Sequence, residues 1–349
     1  MKLSDSLKFK PLTIAALLAM IAAILAMLPG FPWVVSAPAK DRWPVGDGDT
    51  AYPVISTYGQ FEKYADTLSD YHDGIDIAVS APPSGEDVVA IESGTVADYY
   101  TAADPVNFSL VVLSDDDPTS GYYYVHFDPA VSKGDAVAAG ALLGTTVGYK
   151  DASGYDHVHV SRVQTIPGST DTFPYKFVGN PLARLKDAAA DTTAPSVGAI
   201  FCFDQGSGDR IDDPDELVDA KVDVVAEVSD LHDSSSDRLL IPYRVNLEIT
   251  EKSSGDVVHT GELEFDGEFD TARIKFVLTA YKDAGDSGVE LKGGYDDRQF
   301  FVVPTNALPD VSSDHWSTTG LDSGDYVIRV IATDVAGNAG ENSITVTLP

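Results

Sequence analysis

Apolar positions along this chain follow two regimes. From Leu12 to Leu28 they run almost unbroken, inside an uncharged stretch that extends from Pro11 to Ala39. Lys2, Lys8 and Lys10 lie ahead of it, and a positive start followed by a hydrophobic segment marks a chain for export. Ala37-Pro38-Ala39 offers the small residues that a signal peptidase reads. Residues 1–39 are therefore expected to be either a cleaved signal peptide or a hydrophobic anchor helix, its apolar heart being short for a membrane span. No cysteine lies near the segment, which excludes a lipoprotein anchor.

Beyond a short linker at 40–50, the apolar residues come instead in brief β-type runs separated by Gly, Pro and Asp. Residues 51–185 carry Asp87-Val88-Val89-Ala90-Ile91, Leu110-Val111-Val112-Leu113, Tyr122-Tyr123-Tyr124-Val125-His126 and His157-Val158-His159-Val160. Short strands at such spacing, with little helical periodicity, predict an all-β domain. Residues 186–195 (KDAAADTTAP) read as a second linker, small, polar and ended by proline. Residues 196–349 are again strand-rich. Val222–Val228 and Tyr243–Ile249 alternate in part, and Tyr326–Ala332 with Ser343–Thr347 predicts a closing hairpin. Tyr326 stands just before a strand, as in a tyrosine corner, and 332–338 resembles a turn of bacterial Ig-like modules. An Ig-like β-sandwich is expected for this half.

Composition narrows the partners. The 349 residues hold 23 Lys+Arg against 55 Asp+Glu, a net charge of −32. A surface so acidic repels nucleic acid and anionic lipid. The second half is the more acidic, with 11 basic and 32 acidic residues from 190 onward. Asp212-Asp213-Pro214-Asp215-Glu216 lacks the ordered spacing of a calcium loop and reads as a solvated surface. Such an excess of Asp also suits high salt, where screening removes self-repulsion. The one cysteine, Cys202, excludes an intramolecular disulfide and is expected to be a small buried hydrophobe.

Chemistry is concentrated in four of the seven histidines. His72-Asp73-Gly74-Ile75-Asp76 spaces a His and an Asp so that both can reach one ion. His157 and His159 sit two apart on a predicted strand and so share a face; Tyr124 and His126 are expected to do likewise. Buried on facing strands without a common task, these groups would be costly. A His₂Asp set suits Zn²⁺ with one position left for water, and the spare histidines could move a proton or stabilise an oxyanion. His232, His259 and His315 have no such companions and are expected on the surface.

The three motifs, H-x-x-x-D, Y-x-H and H-x-H in that order, resemble those of the LytM/lysostaphin-type zinc metallopeptidases, peptidase family M23. Flanking residues agree. Ser56–Phe61 resembles the S-x-F-G-x-R entry. Gly85–Ala90 with Gly94-Thr95-Val96 resembles a G-x-x-V-x-A…G-x-V strand pair, and Val131–Val137 with Gly140 and Gly144 a V-x-x-G-D-x-V hairpin. Asn180-Pro181-Leu182 resembles the close of the domain.

The resemblance implies an antiparallel β-sheet peptidase domain at 51–185 holding one Zn²⁺ per chain through His72, Asp76 and His159. It makes His157 the general base and acid, His126 the stabiliser of the tetrahedral intermediate, and Tyr124 a substrate or supporting contact. It further implies an exported, extracytoplasmic enzyme acting on cell-wall peptidoglycan or another wall peptide. The rival expectation is an inactive scaffold, amidase activator or adhesive surface protein. Two departures stand out. The last motif reads His157-Val158-His159-Val160-Ser161 where the family usually has H-L-H-F-E, and Tyr149–Asp156 lacks the usual glycine-rich string.

Overall fold

The computed structural model describes residues 41–349 apart from 65–67, 80–84, 102–106, 149–155, 187–190, 233–237, 270–278 and 283–299. The expected signal or anchor segment, most of 149–156 and residues 187–190 of the second linker lie outside the described residues. What is described is nearly all β, as the brief apolar runs predict, and every strand pair is antiparallel.

The first half opens with β1 (Val54–Ser56), a hairpin of β2 (Phe61–Tyr64) and β3 (Leu68–Tyr71), then β4 (Ile75–Ala78) and β5 (Asp87–Val89). It continues with β6 (Gly94–Tyr100), β7 (Ser109–Ser114), β8 (Ser120–Val125), β9 (Phe127–Pro129), β10 (Ala136–Val137) and β11 (Leu142–Thr146). The long β12 (His157–Thr165) and β13 (Tyr175–Phe177) complete it. The main sheet runs β1-β4-β12-β8-β7-β6-β10, with β13 also paired to β12, and β5-β11-β9 form a second, smaller sheet.

Strand parity divides the main sheet into two faces. Ile75 and Ile77, Leu110 and Val112, Tyr122 and Tyr124, and Val158 and Val160 point into one buried apolar cluster with Trp43, Phe127 and Leu143. Asp76, Val111, Tyr123, His159, Ser161 and Val163 alternate with them and belong to the other face.

The second half is built from β14 (Ser196–Asp204), β15 (Lys221–Ser229), β16 (Arg244–Glu251) and β17 (Val257–Glu264). It ends with β18 (Phe300–Val302), β19 (Trp316–Ser317), β20 (Gly324–Thr333) and β21 (Ala339–Leu348). One sheet runs β14-β15-β18 with β19 on β15, the other β17-β16-β20-β21. Val222, Val224, Ala226 and Val228 of the first share a core with Val245, Leu247, Ile249, Ile328 and Val330 of the second. Cys202 is buried in that core, where loss of water pushes its thiol up to about 12. β20 and β21 form the expected closing hairpin. Tyr326 donates its hydroxyl to the Asp322 carbonyl at 2.8 Å, the bond that a tyrosine corner makes.

Residues of the two halves pack together. Tyr58 and Tyr71 belong to the core of the second half, Tyr58 stacked on Phe269 at 5.1 Å and Tyr71 edge-on to the same ring. Leu240 reciprocates in the core of the first. Gly59 has φ +80°, and a Cβ there would meet Phe265 at 2.7 Å, so only glycine fits. His232, expected on the surface, is instead 4% exposed and lies 6.3 Å from the Trp43 ring, so the contact between halves buries it. Near the same junction the carboxylates of Asp191, Asp230 and Asp334 all lie within 4.8 Å of one another.

Candidate metal centre

The backbone of β4 and β12 sets the centre. Their register places Asp76 directly opposite His159, on the face that turns away from the valine-rich core. His72 enters from the turn between β3 and β4. Its amide donates to the Gln60 carbonyl and its own carbonyl accepts from Gly59, both at 2.8 Å, which fixes the loop against the strand entry.

Three donor atoms converge there. His72 Nε2 lies 3.1 Å from Asp76 Oδ1 and 3.0 Å from His159 Nδ1, and the latter is 2.9 Å from Asp76 Oδ1. Ligands about 2.0–2.1 Å from a tetrahedral ion stand roughly 3.3 Å apart, so two imidazoles and a carboxylate in this arrangement fit zinc in donor type and separation. His72 and Asp76 are buried, and the His159 side chain is nearly so.

Charge in the centre is strongly coupled. Burial opposes ionisation of Asp76, but His72 and His157 beside it, with hydrogen bonds from His159 and His72, hold its carboxyl well below the usual range. Burial likewise opposes a charge on His159, yet hydrogen bonds to Asp73 and Asp76 raise its imidazole to about 10.

The two other histidines border this cluster. His157 Nε2 is 3.9 Å from Asp76 Oδ1, and the rings of His126 and His157 meet edge-on with centroids 4.9 Å apart. The His126 ring is also 6.4 Å from that of His159. All four histidines and Asp76 thus occupy one neighbourhood.

Tyr124 is not brought there. It is fully buried in the core on the opposite face, and its hydroxyl accepts from the Ile91 amide at 3.0 Å. The expected shared face of Tyr124 and His126 fails because His126 has φ +69°, which ends β8 and breaks the alternation. Tyr123, opposite Ser161 in the ladder, lies on the histidine side instead. It packs with Phe173 at 5.1 Å and Phe177 at 6.4 Å.

Two neighbours of His159 were missed from sequence. Ser161 Oγ is 2.8 Å from His159 Nε2, and Asp73 Oδ1 is 3.1 Å from the same nitrogen. The i+2 parity of Ser161 with His159 was the available signal; Asp73 had only its position beside His72.

Residues 70–167 match the family model for peptidase family M23, so a domain of that type occupies this part of the chain. No curated protein matches the chain. Among solved structures, it resembles the catalytic domain of lysostaphin from Staphylococcus simulans at 22% identity, covering 36% of this chain and 84% of that one, with a TM-score of 0.27. LytU gives 23% identity, 37% and 82% coverage, and a TM-score of 0.28. A zinc-containing peptidase from Vibrio cholerae gives 22% identity, 36% coverage of each chain and a TM-score of 0.29.

Proposed function

We propose that this chain is an exported zinc-dependent metalloendopeptidase that hydrolyses peptide bonds in cell-wall peptidoglycan. The observation that carries the reading is the convergence of His72 Nε2, Asp76 Oδ1 and His159 Nδ1, with His126 and His157 beside them. The match of residues 70–167 to peptidase family M23 supports it independently.

His72, Asp76 and His159 would hold one Zn²⁺ per chain. Bound there, the ion would polarise the scissile carbonyl and bring the pKa of a water toward neutrality. His157 takes the proton of the attacking water and returns it to the leaving amine, since it is next to the ligands without belonging to them. His126, edge-on to His157, donates to the carbonyl oxygen as that oxygen gains charge. The second half is assigned as an Ig-like module, supported by its two packed antiparallel sheets and the Tyr326–Asp322 hydrogen bond.

The test incubates zinc-loaded residues 41–349 with purified peptidoglycan and reads released peptides by mass spectrometry, beside a His157→Ala control. Peptides released only by the wild type support the reading. No release from any wall type by a chain that holds one zinc would overturn it in favour of a non-catalytic role or another substrate.

A further inference from the structure

We infer that Asp73, with Ser161 beside it, is the positioning residue that fixes the His159 imidazole in its metal-binding tautomer. The inference rests on the zinc reading proposed above.

The two nitrogens of His159 face different company. Nδ1 points at Asp76 Oδ1 and His72 Nε2, where a ligand lone pair is needed. Nε2 points the other way, 3.1 Å from Asp73 Oδ1 and 2.8 Å from Ser161 Oγ. With an ion taking the lone pair of Nδ1, the one N–H of the imidazole falls on Nε2, where the Asp73 carboxylate is placed to accept it. A neutral imidazole has one N–H, and placing it on Nε2 leaves the lone pair on Nδ1. Asp73 thereby selects the tautomer that presents the lone pair to the metal position.

Ser161 completes the arrangement. Its hydroxyl donates to the same Asp73 oxygen at 3.3 Å, which leaves its lone pairs toward Nε2 and ties the carboxylate to β12. The close approach depends on Gly74. A Cβ at that position would lie 2.3 Å from the Val160 carbonyl and 2.7 Å from Ser161 Oγ, so any other residue would push the Asp73 loop off the strand. Asp73 is also the residue between the first ligand and that glycine, so one short loop supplies both His72 and the group that orients His159.

The departure of the last motif then has a physical reading. Where the resembled pattern ends in Glu, this chain has Ser161. The carboxylate near Nε2 belongs to Asp73, 88 residues before Ser161. A ligand histidine whose second nitrogen donates to a carboxylate is held in ring orientation and made more basic, and removal of that partner typically weakens metal binding about 10–100-fold.

The test measures zinc affinity of the full chain by competition with a chromophoric chelator, for the wild type, Asp73→Ala and Asp73→Asn. Nitrogen NMR of the zinc-loaded wild type reads the His159 tautomer directly, a measurement that needs no variant to fold. The expected results are a protonated Nε2 with metal-shifted Nδ1, an affinity lowered about 10–100-fold in Asp73→Ala, and rescue in Asp73→Asn, whose amide oxygen still accepts. A proton on Nδ1, or an Asp73→Ala affinity within twofold of wild type, overturns the inference while leaving the zinc reading standing. A wild type that binds no zinc overturns both.

Discussion

Tyr281 donates its hydroxyl to the carbonyl of Gly59 at 2.6 Å, across 222 residues of sequence. The amide of the same glycine donates to the carbonyl of His72. One residue therefore stands between the second half of the protein and a candidate metal ligand. Tyr71, the neighbour of His72, is packed in the second half's core beside Tyr58 and Phe269. The acidic half is thus a structural support of the centre as well as a possession of the chain downstream of it.

Tyr281→Phe tests that coupling with little change of shape. It leaves the Gly59 carbonyl without its buried donor, which costs about 1–3 kcal/mol. Denaturant unfolding should register the loss, and zinc affinity should fall severalfold as the His72 loop loosens. Unchanged zinc affinity in a destabilised variant would show that the contact serves the fold alone.

His157 and Asp76 are expected to separate chemistry from binding. His157→Ala should keep zinc near one per chain while turnover falls about 10²–10⁴-fold, the usual worth of a general acid–base group. Asp76→Ala should lose zinc first and activity as a consequence. Metal analysis beside peptide release distinguishes them, and a His157→Ala chain with normal turnover would remove that residue from the proton path.

How far the site could be read in advance depended on whether its residues were linked by local rules. His157 and His159 were legible because strand parity puts them on one face, and the spacing of His72 and Asp76 allowed a common ion. Tyr124 was misplaced because the same parity rule was carried across His126, whose positive φ resets it and has no signature in the sequence. Asp73 and Ser161 could not be paired, since their contact depends on the β4–β12 register and on the room left by Gly74. The two β-rich halves were visible from their short apolar runs. The burial of His232 and the sharing of Tyr58 and Tyr71 were not, because composition marks a linker but carries no record of what packs beside it.

The placement of Tyr124 makes a prediction opposite to the one its motif invites. Tyr124→Phe removes the acceptor of the buried Ile91 amide and should cost about 1–3 kcal/mol of stability. Because the hydroxyl lies on the core face, kcat/KM for released peptides should stay within about twofold of wild type. A large drop in kcat/KM with unchanged zinc content would return Tyr124 to the site.

Asp230 should give the protein a pH-dependent weakness at the junction. It is buried, and desolvation together with the carboxylates of Asp334 and Asp191 raises its pKa to about 7, against an ordinary 3.8. Below pH 3.8 both folded and unfolded chains keep this proton and nothing is lost. Between about 4 and 7 the unfolded chain ionises while the folded chain does not, so stability falls as pH rises, and above about 7 the full penalty is present. Asp230→Asn keeps an oxygen for the Leu231 amide but carries no charge. Its stability advantage over wild type should be about 3 kcal/mol larger at pH 8 than at pH 4.5, after any constant offset from the altered hydrogen bond is subtracted. Denaturant midpoints at both pH values, in chelator and low salt so that no cation neutralises the three carboxylates, provide the measurement. An advantage that does not change with pH would mean that Asp230 titrates alike in the folded and unfolded chains.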